Sequence, residues 1–178
     1  MAKEIWSWAK TIILAIILAL IIKNYVFAFY IVDGSSMEPT LKDGQVLMVN
    51  NFTYRIREPQ RGDVIIFVKD EVTGQRGHWL TGRKALVKRV IALPGDTVSI
   101  RNGQVFVNDQ ALEEDYIECA LSENLPAITI EEGEIYVLGD NRRPGASLDS
   151  RSFLSPVKLS DVLGRVEYVI LPSLGKVD

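Results

Sequence analysis

The sequence has one cysteine, Cys119, and one histidine, His78, among its 178 residues. One cysteine cannot form a disulfide within the chain, and the two residues together cannot supply the ligands of a Cys/His zinc site. We therefore expect no metal and no cofactor, and we interpret Cys119 as a free buried thiol. Basic residues are not in excess either, since 20 lysines and arginines stand against 23 acidic residues. This balance does not favour nucleic acid as a partner.

Helical periodicity of any length is absent after residue 30, where short alternating or apolar runs are separated by turns. Six of these runs predict strands: Gln45–Val49, Val64–Val68, Leu86–Leu93, Thr97–Ile100, Val105–Val107 and Ile135–Leu138. Asn102-Gly103 predicts a two-residue hairpin of type I′, and Asn108-Asp109 predicts another turn. The fold class predicted for this part is mostly β, with the acidic residues 109–130 as an excursion between its two halves.

The one long hydrophobic run is Ile5–Ile22, near the start of the chain. As a helix it would cover about 27 Å, close to the roughly 30 Å of a bilayer core. Aromatic residues flank the run, as they do at membrane interfaces: Trp6, Trp8, Tyr25, Phe27 and Tyr30. A cleaved signal peptide is the alternative, but this run is longer than a typical h-region and no small-x-small site follows it. We expect a single transmembrane helix at about 5–22, within an anchor domain of residues 1–30.

The basic residues near the start of the chain predict the orientation of this anchor. Lys3, Lys10 and the amino terminus favour a cytoplasmic N-terminus, although Lys23 and Lys42 weaken the bias. Residues 31–178 would then form a domain on the extracytoplasmic face of the cell membrane. The lipid bilayer is therefore an expected partner.

A turn that could hold a nucleophile follows the anchor. Val32–Leu41 contains the adjacent serines Ser35 and Ser36 between Gly34 and Pro39. Gly34 permits a backbone conformation that a side chain would disfavour, and Pro39 fixes φ just downstream. A hydroxyl held on so stiff a turn is suited to nucleophilic attack, provided that a base removes its proton.

The choice of base falls between a histidine and a lysine. His78 lies in the polar stretch Thr73–Lys84, and we interpret it as a solvated loop residue. A lysine must instead be desolvated to accept a proton near neutral pH. Lys88 meets this requirement best, because strand alternation places it on one face with Leu86 and Val90. The residues thus predict a Ser-Lys arrangement, a variant of the serine triad.

Five segments resemble, in order, the sequence boxes of type I signal peptidases: Val32–Leu41, Arg61–Phe67, Lys88–Asp96, Gly139–Arg142 and Ser147–Arg151. The resemblance implies a signal-peptidase-like β catalytic body in which Ser36 is the nucleophile and Lys88 the general base. It also implies a membrane-bound serine endopeptidase that removes signal peptides from secretory preproteins after a small-x-small motif, through an acyl-enzyme. The preproteins would then be its partners.

The same resemblance assigns supporting roles. Gly34 occupies the oxyanion position, so the backbone N–H of Ser36 would stabilise most of the developing charge. Ser147 would hydrogen-bond the lysine, and Asp149 and Arg151 would form an ion pair near the site. Five residues would line pockets for small side chains: Val32, Met37, Leu41, Leu86 and Val87.

Two departures from the family pattern concern the last box. The stretch between Arg142 and Ser147 is two residues longer than usual, and no glycine follows Arg151 closely. Two other classes of protein also stay open. Self-cleaving repressors share the catalytic fold but carry a DNA-binding domain in place of an anchor. A catalytically silent β module tethered to a membrane is the other alternative, and substitution of Ser36 would distinguish it from an enzyme.

Overall fold

A computed structural model describes residues 2–69, 85–151 and 155–177, with side chains from Trp6 onward except at positions 19 and 21–25. The helices are α1 (Ala2–Val26), α2 (Thr53–Ile56) and the short 3-10 helix η1 (Leu159–Asp161). The strands are β1 (Phe27–Ile31), β2 (Val46–Asn50), β3 (Val64–Phe67), β4 (Leu86–Ala92), β5 (Thr97–Arg101), β6 (Gln104–Val107), β7 (Gln110–Ala111), β8 (Leu125–Thr129), β9 (Glu134–Leu138), β10 (Val157–Lys158), β11 (Val162–Leu171) and β12 (Gly175–Lys176). The mostly β fold class is confirmed.

The strands form two antiparallel sheets. The larger has eight strands in the order β1-β2-β11-β3-β4-β9-β10, with β12 paired to β11. The smaller has four strands in the order β7-β6-β5-β8. Strand β4 lies inside the larger sheet, between β3 and β9, and its residues from Lys88 to Ala92 are all buried.

All six predicted strands are present, with ends that differ by at most one residue from those expected. Asn102 and Gly103 have φ values of 51° and 80° and join Arg101 to its partner Gln104, which confirms the I′ hairpin. Asn108 and Asp109 also have positive φ, at 53° and 62°, and connect β6 to β7.

Several strands were not predicted, and β11 is the longest of them. Its ladder to β2 shifts register between Val166 and Tyr168, and again between Val169 and Leu171. Each bulge moves the buried positions to a new phase, so the alternation that marks a strand in the sequence is broken. Gly164 weakens the pattern further, but no side chain would fit there, since a Cβ would lie 2.7 Å from the Asn50 carbonyl oxygen.

Two other unpredicted regions add strands at the margins of the sheets. Residues 27–30 were assigned from sequence to the interfacial end of the anchor, but Phe27–Ile31 form β1, which pairs with β2. The excursion at 109–130 contributes β7 and β8 to the smaller sheet, where β8 pairs with β5. The excursion is therefore integrated into the fold on both sides of its acidic middle.

Helix α1 begins the chain with 25 residues, and its described apolar side chains are largely exposed. The exposed fraction of Trp8 is 71% and that of Leu14 is 67%. Within the described residues, no helix meets the length and hydropathy that a membrane span requires. The transmembrane helix expected at about 5–22 is therefore not confirmed.

The apolar core has three clusters, and one of them fixes the Val32–Leu41 turn. Met37 and Leu41 are fully buried in a cluster with Val49, Val64 and Val166, which come from β2, β3 and β11. The second cluster joins the smaller sheet to β4 and β9, and the third packs around Ile65 and Val90. Because burial of each large apolar side chain contributes roughly 1.5–3 kcal/mol, Met37 and Leu41 fix this turn firmly against the larger sheet.

Candidate active site

The turn that carries Ser36 is closed by its own backbone. The N–H of Glu38 donates to the Ser35 carbonyl at 3.1 Å, and the N–H of Leu41 donates to the Met37 carbonyl at 2.9 Å. Gly34 has a φ of +94°, the left-handed region that glycine adopts without strain, as its place in the sequence suggested. Ser36 is half-buried between exposed Ser35 and the fully buried Met37. Its hydroxyl is therefore held at the boundary between core and solvent.

Lys88 reaches this hydroxyl from β4. Its Nζ lies 2.7 Å from Ser36 Oγ, although the two residues are 52 positions apart in the chain. The same nitrogen donates to the Val87 carbonyl at 2.7 Å. Only 2% of Lys88 is exposed, and its strand neighbours Leu86 and Val90 pack in an apolar cluster, as the alternation predicted.

Burial changes the acidity of this lysine. Desolvation lowers the pKa of Lys88 to about 8, because the charged form loses its hydration when the side chain is enclosed. The carboxylates of Asp149 and Asp140 oppose the change, and the charge of Arg151 adds to it. An amine with a pKa near 8 is partly neutral at pH 7 and can accept a proton from a neighbouring hydroxyl.

The predicted ion pair of Asp149 and Arg151 is present beside this lysine. Arg151 Nε donates to Asp149 Oδ1 and Arg151 Nη2 to Oδ2, both at 2.8 Å. Burial alone would raise the pKa of Asp149, but the hydrogen bonds and charge of Arg151 and the N–H of Gly139 lower it. Asp149 is therefore a buried carboxylate that stays ionised and holds the Gly139 backbone.

Ser147 does not make the contact that the family resemblance implies. Its Oγ is buried, and no hydrogen bond joins it to Lys88 in the described part of the chain. The hydroxyl contributes to the lowered pKa of Asp149. The hydroxyl lies instead against Gly139, where an added Cβ would collide with it. The stretch between Arg142 and Ser147, which is two residues longer than the family pattern, directly precedes this residue.

The residues expected to line substrate pockets fall into two groups. Val32, Met37 and Leu41 belong to the buried apolar core, and Met37 and Leu41 have no exposed surface with which to touch a substrate. Leu86 and Val87 are half-buried at the start of β4, directly before Lys88. Only the second group has surface available beside the Ser36–Lys88 pair.

An ion pair that was not singled out from the sequence joins the serine turn to β4. Arg89 Nη2 donates to Asp140 Oδ2 at 2.8 Å, and both side chains are almost completely buried. The same carboxylate accepts a hydrogen bond from Thr40 Oγ1 at 2.6 Å. The pair therefore connects the residue after Lys88 with the end of the Ser36 turn.

Asn141 holds the serines from the other side. Its backbone N–H donates to the Ser36 carbonyl at 3.1 Å, and its side-chain amide donates to the Ser35 carbonyl at 3.0 Å. Asp140 and Asn141 lie within a segment that matched a family box, but nothing in the sequence indicates which distant residue each would bind. Their partners are known only once β4 and β9 are paired.

One backbone N–H at the serine turn is available to donate a hydrogen bond to a substrate. In the described residues, no hydrogen bond from the Ser36 backbone N–H is found, whereas the N–H of Gly34 donates to Asp43 Oδ1 at 2.8 Å. An N–H without a partner, next to a nucleophilic oxygen, is the donor that a developing oxyanion requires. Gly34 has no side chain to add a second donor.

Other sequence expectations concern metal ligands and thiols. Among the described residues, no group of three or more histidine, cysteine or acidic side chains is arranged to bind a metal ion. Cys119 is a free thiol, but it is half-buried rather than fully buried. His78 and its stretch Thr73–Lys84 lie outside the described residues, so the interpretation of His78 stays a prediction.

We predict that Gly139→Ala lowers the free energy of unfolding by about 1–3 kcal/mol, the usual cost of forcing an extra methyl group into a packed site. The new Cβ would collide with Ser147 Oγ and with the Ser36 carbonyl oxygen. Since the Ser36 oxygen is a backbone atom, relief requires movement of the whole turn. Urea unfolding measures the change. Gly175→Ala is the matched control, because nothing lies within 4 Å of a Cβ at Gly175. Equal stability of the two variants would contradict the prediction.

The chain is similar to signal peptidases over most of its length. The profile of the family described as signal peptidase, peptidase S26, matches residues 5–171. Signal peptidase I S of Bacillus subtilis strain 168 is 35% identical over 181 residues, covering 96% of this chain and 91% of that protein. A probable signal peptidase I-1 of Synechocystis is 40% identical over 141 residues, covering 77% of this chain and 71% of that protein. A crystal structure of a signal peptidase I from Enterococcus faecalis V583 is 31% identical and covers 61% of this chain and 97% of its own, with a TM-score of 0.47.

Proposed function

The chain belongs to the signal peptidase family, peptidase S26, whose members are serine endopeptidases that remove signal peptides, and we propose that it does so through a Ser36–Lys88 dyad. The observation that carries this proposal is the 2.7 Å distance between Lys88 Nζ and Ser36 Oγ, with the lysine buried. Membership in this family also separates the chain from the self-cleaving repressors that the fold alone left open.

The proposed reaction has two steps. Neutral Lys88 takes the proton of Ser36 as Oγ attacks the carbonyl carbon of the scissile peptide bond. The resulting ammonium then gives this proton to the departing amine, which leaves an ester between Ser36 and the signal peptide. In the second step Lys88 takes a proton from water, the hydroxide attacks the ester, and the proton returns to Ser36 Oγ.

Charge that develops on the substrate carbonyl needs a donor. The Ser36 N–H is the proposed donor. It belongs to the same residue as the nucleophile and makes no hydrogen bond among the described residues. Gly34, which is exposed and carries no side chain, leaves room for the substrate beside it. Leu86 and Val87 supply the apolar contact that favours small residues in a small-x-small motif, while Val32, Met37 and Leu41 form the floor beneath.

The substrate is a secretory preprotein, and the reaction takes place at the membrane surface. The hydrophobic run at 5–22 attaches the chain to the lipid bilayer as a single span with its N-terminus in the cytoplasm, and the body from residue 31 is extracytoplasmic. Exposed apolar residues of the body support contact with lipid: Ile31 and Leu171 lie on either side of Val46 in the sheet, and both are exposed. Ser36 follows Ile31 by a few residues.

The proposal is tested with the full chain in lipid vesicles and a preprotein that carries an Ala-x-Ala site. We expect a single cleavage after the second alanine, unaffected by a chelator, because a lysine base needs no metal. A preprotein with leucine at both alanine positions is the matched control and should remain intact. Cleavage of both, or of neither, would refute the proposed specificity.

Flotation of the vesicles then shows whether the chain stays with the lipid, and protease added outside spheroplasts reports its orientation. Digestion of the body supports the proposed topology. A fully protected body would show that the body lies on the cytoplasmic side and would refute this topology.

A further inference from the structure

The acidic residues 113–123, called the acidic segment below, contact the active-site region through three ion pairs. Glu114, Glu118 and Glu123 pair with Arg142, Arg143 and Arg151, respectively. The pairs differ in burial. Glu118 and Arg143 are both about 60% exposed, as expected of a surface pair that adds little stability. Glu114 and Arg142 are 5% and 0% exposed.

The buried pair leads directly to the backbone beside the nucleophile. Both terminal nitrogens of Arg142 donate to the Glu114 carboxylate, which also accepts a hydrogen bond from Tyr116 Oη at 2.7 Å. Arg142 Nε donates to the Gly139 carbonyl at 2.8 Å. Gly139 lies against the Ser36 carbonyl, and the backbone N–H of Asn141 donates a hydrogen bond to the same carbonyl. Glu114 therefore orients the arginine that fixes the segment on which the Ser36 turn rests.

Tyr116 reaches the other half of the dyad. Its ring lies 4.0 Å from the guanidinium carbon of Arg89, the residue that follows Lys88 on β4. Stacking of this kind restricts a planar guanidinium and is favourable for a buried cation. Arg89 in turn binds Asp140 through Nε and Nη2. The acidic segment thus contacts both halves of the site. Tyr116 packs on Arg89, which follows Lys88, and Glu114 binds Arg142, which holds the backbone beside Ser36.

We propose that Glu114 and Tyr116 are positioning residues for the Ser36–Lys88 dyad: they hold Arg142 and Arg89 so that Oγ and Nζ stay within proton-transfer distance. Among the described residues, no hydrogen bond, ion pair or ring contact joins either side chain to Ser36 or Lys88, so both act through the two arginines. The inference rests on the proposed function, because it concerns the rate of that reaction. It gives the acidic segment, which reads as a surface excursion in the sequence, a role in catalysis.

The test compares steady-state kinetics of the full chain and three single variants on the Ala-x-Ala preprotein. Glu114→Gln removes the charge that Arg142 requires, and Tyr116→Leu removes the ring over Arg89. We expect each to lower kcat by about 10- to 100-fold, because small displacements of reacting groups have effects of this size. KM should change by less than about threefold, since neither residue touches the substrate in this proposal. Glu118→Gln, from the exposed pair, should keep the parent kcat.

A purely structural role predicts a different pattern. Loss of folded protein lowers the apparent enzyme concentration, so active-site titration and circular dichroism must show that each variant is folded at the assay temperature. If Glu114→Gln does not fold, Tyr116→Leu and Tyr116→Phe decide the matter. Tyr116→Phe keeps the aromatic ring over Arg89, so its kcat should stay close to that of the parent, whereas the kcat of Tyr116→Leu should fall.

Parent kcat in folded Glu114→Gln or Tyr116→Leu, a change in KM alone, or an equal loss in Glu118→Gln would overturn the inference. The parent and Ser36→Ala run in the same assay. A parent that cleaves, a silent Ser36→Ala and an unimpaired Glu114→Gln would reject this inference while leaving the proposed function intact.

Discussion

Ser36→Ala is expected to reduce cleavage of the Ala-x-Ala preprotein by about 10³-fold or more, as loss of a catalytic nucleophile does in other serine hydrolases. The reason is geometric. In the described part of the chain, Lys88 Nζ has one hydroxyl partner, Ser36 Oγ, and the nitrogen has no other side-chain oxygen to activate. Removing the oxygen leaves the base with nothing to deprotonate except water. The substitution itself is mild, because alanine fits wherever serine does.

Ser35→Ala is the matched control for this prediction. Ser35 is exposed, and the contact that fixes it is made by its backbone carbonyl, which an alanine retains. We therefore expect nearly full activity from this variant. Initial rates of preprotein cleavage, measured with equal amounts of folded protein, compare the two. Equal losses from both substitutions, or full activity in Ser36→Ala, would show that the nucleophile has been assigned to the wrong position. A parent that does not cleave the preprotein would leave the silent β module as the better description.

The pairing of Ser36 with Lys88 was predictable because it follows from chemical necessity. A serine on a stiff turn needs a base, and an apolar strand with one central lysine provides it. The Asp149–Arg151 pair was also predicted, from the family resemblance, and its members are only two positions apart in the chain. Arg89 and Asp140 are different. They lie 51 positions apart, and their contact depends on how β4 pairs with β9. A residue pattern records what each strand buries but not which strand lies beside it.

The same limit explains the misplaced parts of the fold. Alternation marks β2 well, where Leu47 and Val49 are buried and their neighbours half-exposed. It fails in β11, because bulges change the phase of burial. Met37 and Leu41 were assigned to substrate pockets from their positions in the family motif. An apolar residue is equally suited to a pocket wall and to a core, and both side chains are fully buried in the structure.

Lys88→Met is expected to abolish cleavage while leaving the protein at least as stable at pH 7. In the parent, kcat/KM should rise about tenfold per pH unit up to the pKa of Lys88, about 8, because only the neutral amine acts as base. Methionine keeps most of the apolar stem and has no proton to exchange, so the variant should lack this profile altogether. The loss should match that of Ser36→Ala, since members of one catalytic unit are not additive.

The effect on stability follows from the same pKa. Folding lowers the pKa of Lys88 from its ordinary 10.5 to about 8. At about 1.36 kcal/mol per unit, the charged lysine costs the folded state about 3 kcal/mol. Between pH 8 and 10.5 the unfolded chain binds more protons than the folded one, so stability rises with pH across this window. The cost is fully present below pH 8 and absent above about 10.5. Loss of the two hydrogen bonds from Nζ offsets part of the gain in the variant, at roughly 1 kcal/mol each.

Urea unfolding of parent and Lys88→Met, both as the full chain in one mild detergent, isolates this contribution. Other groups titrate in the same range, but they are common to both proteins and cancel in the difference between the two free energies of unfolding. We expect the parent to gain stability relative to the variant by about 3 kcal/mol between pH 7 and pH 10.5. A constant difference, with the variant clearly less stable at pH 7, would mean that the lysine is charged and satisfied in the fold. A lysine in that state could not take the Ser36 proton, and the dyad would have to be abandoned even if Ser36 proved essential.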